Sequence, residues 1–129
     1  LIATPESSLI ASTAMEAARA LADLVEISPQ IEAAAVVSGE GELAGSVGLP
    51  EARASVLARS VRELLEAAVA FPGGDGRVTQ LHAELTGGDV FAVTDTGERT
   101  IVAVTGGRVP PGLVFYDLKR CLAAVADET

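Results

Sequence analysis

The chain has 129 residues, 49% of them hydrophobic and 21% charged, and nine basic residues against eighteen acidic ones give a net charge of −9. That length builds one domain that buries about two-thirds of its unfolded surface in a single core, which excludes a stapled mini-protein. The acidic balance repels phosphate backbones and anionic surfaces, and no apolar run reaches the ~18 to 20 residues of a membrane span, so neither nucleic-acid binding nor membrane insertion is expected.

Cys121 is the only cysteine. It cannot close an internal disulfide, and its place in a helical pattern between Leu118 and Leu122 marks it as a small buried hydrophobe, which fits a reducing cytoplasm. Lysine occurs once, at Lys119, while Ala, Gly, Val and Arg abound, a bias that hints at a high-GC bacterial source. The chain begins at Leu1 without a methionine, as an excised segment does, and LIATPESSLIAST lacks the basic n-region of a signal peptide.

Two helix starts compete near the N-terminus. Thr4-Pro5-Glu6 supplies a cap and first turn, whereas Thr13 followed by Glu16 forms a capping box, in which each end satisfies a free backbone amide of the other, and is the firmer start. From Thr13 onward Ala14, Ala17, Leu21, Leu24 and Val25 form an apolar stripe, with Glu16, Arg19, Asp23 and Glu26 opposite. Residues 1–12 are therefore set apart as an N-terminal extension, 13–126 as the domain and 127–129 as a tail. Ser28-Pro29 stops the helix, because the residue before proline disfavours helical angles.

Ile31 to Ser38 and Glu42 to Val47 flank Gly39-Glu40-Gly41, a short glycine-bearing loop that closes a hairpin. Pro50 to Phe71 is the second helix. Proline presets the first turn, Glu51 complements the positive end of the dipole, and Phe71-Pro72-Gly73-Gly74 ends it. At 100° per residue Ala54, Leu57, Val61, Leu64, Leu65 and Ala68 share the core-facing side. Arg59, Arg62, Glu51 and Glu66 lie opposite. A flank of Val56, Ser60 and Ala67, interrupted by Glu63, is surplus to a monomer's needs. It admits a second helix at close range, or it is the solvent-tolerant side of an ordinary surface helix.

Val78 to Leu85 alternates Val78, Gln80, His82 and Glu84 against Thr79, Leu81, Ala83 and Leu85, one face mainly polar and the other mainly apolar, as in an edge strand. Asp89 to Thr94 and Arg99 to Thr105 are dense in Val, Ile and Phe and read as central strands covered on both faces. A last helix carries Val114, Leu118, Cys121, Leu122 and Val125 on its apolar stripe. The fold class is α+β, in the order α-β-β-α-β-β-β-α. It predicts one five-stranded antiparallel sheet with the middle helix on one face and both terminal helices on the other.

Catalytic constellations are missing from the pattern. His82 is the only histidine, and no cysteine or serine arrangement surrounds it, so it reads as a surface side chain and no catalytic residue is assigned. One His and one Cys leave a zinc site dependent on carboxylates, and the acids read as dispersed along helix faces, so no metal is assigned. The glycine-rich stretches FPGGDGR and TGGRVPPG lack both the Lys-Ser/Thr of a P-loop and the GxGxxG spacing. They read as linkers, and no cofactor is expected. Asp95 and Glu98 lie in or beside a turn, where aspartate commonly bonds the backbone.

Three stretches, ALADLVEISPQIEAAAVVSGEGELAGS, DVFAVTDTGERTIVAVT and PPGLVFYDLKRCLAAV, taken with the middle helix, cover nearly everything from Thr13 to Val125. In their joint order and spacing the chain resembles the roadblock family, the dynein-light-chain-like group with many bacterial members and a roadblock/profilin-like sandwich. Gly39-Glu40-Gly41 departs from the Asp-Gly turn more usual there. The resemblance implies a homodimer whose middle helices pack side by side and whose following strands pair into one ten-stranded sheet. Val56, Ser60, Glu63, Ala67, Thr79, Leu81 and Ala83 are then the candidate dimer contacts. It further implies a non-enzymatic cytoplasmic adaptor for a Ras-like small GTPase, with Arg59, Arg62 and Glu66 as candidate partner contacts. A ligand-sensing module or a purely structural dimerisation module is the alternative, although the crowded Leu and Val stripes leave few polar anchors for a pocket.

Overall fold

The computed structural model describes residues 5–69, 79–95 and 99–127. Helix α1 (Pro5–Ile27) leads into β1 (Ile31–Val37) and β2 (Leu43–Val47). Helix α2 (Glu51–Val69) follows, then β3 (Gln80–Leu85), β4 (Gly88–Thr94) and β5 (Thr100–Thr105), and α3 (Pro111–Asp127) closes the chain. The predicted order of elements is the observed one.

The α1 helix begins at Pro5 rather than Thr13. Pro5 and Glu6 suit a first turn, and no glycine or proline interrupts the residues from Glu6 to Ile27, so the competing capping box at Thr13 lies inside a helix already under way. At the other end the Ser28 amide donates to the Leu24 carbonyl at 2.8 Å before Pro29 turns the chain away.

All strand pairs are antiparallel, in the order β2-β1-β5-β4-β3. The β1–β2 hairpin and the three-stranded meander β3–β4–β5 are thus joined through β1 and β5, which puts the densest apolar strands in the middle, and β3 is an edge strand as expected. A register shift between Ile31 and Ala33 keeps Ile31, Ala34 and Val36 on one face of the sheet, with Ile101, Ala103, Phe91 and Val93. Leu21 and Leu24 of α1, and Val114, Leu118 and Leu122 of α3, close over that face. On the opposite face Val61 and Leu65 of α2 meet Ala92 and Val102.

Two local features set how closely the layers approach. The buried stripe of α2 is Ala54, Ala58, Val61 and Leu65, and small alanines at its first half let the helix settle near the sheet. Leu64, expected on this side, is 47% exposed. It stands 100° round the helix from Leu65, and the stripe narrows to the line through Ala58, which the sequence reading passed over. Where α1 crosses β2, a Cβ at Gly45 would stand 3.1 Å from the Ala17 side chain, so the absence of a side chain there admits the helix. No helix among the described residues is long and apolar enough to cross a membrane.

Candidate functional site

The outward flank of α2 carries Val56, Ser60, Glu63 and Ala67, all exposed, with Val56 at 57%. The displaced Leu64 joins it, one turn beyond Ser60, so the flank is more apolar than its sequence pattern suggested. Beside it lies the edge strand. Helix α2 packs chiefly over β1, β2 and β5, which leaves the same face of β3 thinly covered: Leu81 and Ala83 are half-buried and Leu85 is 62% exposed. Thr79, exposed just ahead of β3, extends the pairing by accepting the Thr94 amide at 2.9 Å. Of the seven candidate dimer contacts, Val56, Ser60, Glu63 and Ala67 are thus exposed along α2, and Thr79, Leu81 and Ala83 lie on the edge strand β3 or just ahead of it.

Arg59 and Glu66 are exposed and line a groove with Gly41, Leu43, Ala58 and Glu63, between α2 and the β1–β2 turn. Arg62 lines the same groove but is half-buried: its Nη1 donates to the carbonyl oxygens of Ser38 at 3.0 Å and Gly39 at 3.2 Å. That guanidinium holds the turn, while Ser38 Oγ braces it from inside by accepting the Glu40 and Glu42 amides at 3.3 and 3.2 Å.

Across the molecule the β3–β4 hairpin gathers residues that sequence reasoning kept apart. The register sets His82 opposite Phe91 and Glu84 opposite Asp89, so all four side chains issue from one face. His82 Nε2 lies 2.9 Å from Asp89 Oδ2, and its ring stacks on Phe91 with centroids 4.2 Å apart and planes 10° from parallel. His82 is thus a half-buried, oriented side chain rather than a free surface one. The acids are not all dispersed along helices, because His82, Glu84 and Asp89 each bring one ligand atom within 4.8 Å of the others and could hold a metal ion. The signal was present in the i, i+2 pairing of His82 with Glu84 and in the two-residue turn Thr86-Gly87 that fixes Asp89 opposite.

The Cys121 thiol is pushed up to about 11 from 9.0, first by burial and then by the negative charge of Asp23. It stays a protonated, inert core group at neutral pH. Asp95 acts on the backbone as expected, its Oδ1 accepting the Arg99 amide at 2.9 Å. Glu98 and the stretch FPGGDGR lie outside the described residues, and TGGRVPPG connects β5 to α3.

No family model matches the sequence, and no curated protein gives a match. Solved structures do match. A Roadblock/LC7 domain from Streptomyces avermitilis superposes with a TM-score of 0.73 over 84% of this chain and 93% of that one, at 20% identity. The chain has the Roadblock/LC7 fold. The gliding protein MglB from Thermus thermophilus shares it, with a TM-score of 0.75 over 91% of this chain and 90% of that one, at 18% identity. MglB in a tetrameric arrangement gives 0.70 over the same shares, 91% and 90%, at 16% identity.

Proposed function

We propose that the chain is a non-enzymatic, homodimeric cytoplasmic adaptor that binds a Ras-like small GTPase and modulates its nucleotide cycle or its localisation. The observation that carries the dimer is the pair of exposed features, the Val56, Leu64 and Ala67 side chains on the outward flank of α2 with the small Ser60 among them, and β3 with an edge that no strand among the described residues pairs with. An exposed edge strand without proline is a liability unless another strand pairs with it. Two copies related by a two-fold axis cover both features at once, and Arg59 and Glu63 then face each other across the axis. The GTPase half of the proposal rests on the resemblance to the roadblock family, and self-association is in keeping with the tetrameric arrangement of MglB. Arg59 and Glu66 are the docking candidates, with Arg62 holding the turn that shapes their groove.

Sedimentation of the wild type against Val56→Glu and Ser60→Arg tests the dimer, both variants being expected to shift toward monomer. Unchanged sedimentation in both rules this interface out. Pull-down from source lysate with GDP and then a non-hydrolysable GTP analogue tests the partner, with nucleotide-dependent recovery of a small GTPase as the expected result. Recovery under neither condition rejects the GTPase assignment and leaves a structural or ligand-sensing module.

A further inference from the structure

We propose that His82, Glu84 and Asp89 form a binding site for a divalent transition-metal ion of the zinc class, independent of the adaptor reading. The three ligand atoms already lie within 4.8 Å of one another, so an ion at the usual bond lengths of about 2.0 to 2.2 Å to nitrogen and oxygen reaches all of them with small side-chain adjustments. They stand on two adjacent strands joined by a two-residue turn, with Glu84 directly across from Asp89 and His82 diagonal to it.

That arrangement is rigid where a site needs it. The imidazole is pinned flat against Phe91, which is fully buried and meets Phe115 edge-on at 5.3 Å. A side-chain Cβ at Gly88 would fall 2.2 Å from the Thr105 carbonyl oxygen, so only glycine lets the hairpin lie this close to β5 and carry Asp89 to its position.

The charges also call for a cation. Two carboxylates directly opposite on neighbouring strands repel each other. Arg108 lines the groove that also holds His82, Glu84 and Asp89, yet among the described residues it forms no ion pair with either acid. An imidazole with two carboxylates selects zinc, cobalt or nickel over calcium and magnesium, whose preferred ligands are all oxygens. The fourth coordination position opens to the groove and takes water. The ion would replace the His82–Asp89 hydrogen bond and clamp the edge hairpin.

The test uses the full chain without a histidine tag, stripped with chelator and titrated with zinc chloride by calorimetry and by thermal melting. One ion per chain is expected, with a melting temperature raised by about 10 °C at a hundredfold excess over Kd. Cobalt should give visible ligand-field bands. Glu84→Gln, on an exposed side chain, keeps the fold and should weaken binding at least tenfold, as should His82→Gln and Asp89→Asn. Absence of zinc binding overturns the site, as does binding undiminished in Glu84→Gln and Asp89→Asn. Equal stabilisation by magnesium also overturns it, since that is the response of an acidic surface.

Discussion

Arg62 reaches out of α2 and donates to the carbonyl oxygen of Ser38, 24 residues back in the chain, at 3.0 Å. The same nitrogen also serves Gly39, so one guanidinium ties the helix to the tip of the β1–β2 hairpin. Charge-assisted bonds to half-buried carbonyls exceed ordinary ones. Arg62→Ala should cost about 2 kcal/mol in urea unfolding, and Arg62→Lys, without the planar fork, should recover only part of it. A midpoint equal to wild type in Arg62→Ala would mean that the turn holds itself.

Gly45 and Ala17 set the distance between β2 and α1. Gly45→Val forces the helix outward and should destabilise by about 1–3 kcal/mol, the usual cost of overpacking. In the double variant with Ala17→Gly the strain is relieved, so the loss should be smaller than the sum of the two single losses. Additive losses would place the cost in β2 itself rather than in the contact.

Ser28, only 1% exposed, donates its hydroxyl proton to Asp117 of α3 and so links the end of α1 to its neighbour on the same face. Ser28→Ala should lower stability by about 1–2 kcal/mol, a lost buried hydrogen bond. The same substitution in an Asp117→Ala background should cost less. Equal costs in both backgrounds would remove the hydrogen bond as the cause.

Cys121 makes stability depend on alkaline pH. Its folded pKa of about 11 lies above the unfolded 9.0, so the unfolded chain releases its thiol proton first. The stabilising contribution is complete below pH 9 and is lost as the pH rises through about 11, to a total of about 3 kcal/mol. The stability difference between wild type and Cys121→Ala should shrink by that amount over this window. A constant difference would show that the thiol titrates alike in both states. Alkylation at neutral pH should be slow until the protein unfolds.

Periodicity determined the order of elements and the core residues of α1 and α3, because a stripe at helical spacing has only one way to be buried. Leu21, Leu24, Val114, Leu118, Leu122 and Val125 are all in the core. The alternation in β3 likewise marks it as an edge strand, as the sheet order has it. A local signal misled at Thr13, since a capping box does not register that a helix has already begun eight residues earlier.

Other features depended on partners far away in sequence. Leu64 and Ala58 exchanged roles because the width of the buried stripe on α2 is set by how close the sheet stands, a distance that the helix does not encode. Arg62 looked like a surface charge until the hairpin tip came beneath it. The two acids beside His82 became a cluster only through strand register. Sequence spacing determines which side of its own element a residue occupies; the approach of one element to another, fixed by packing and by contacts such as Gly45 on Ala17 and Gly88 on Thr105, decides what that side meets.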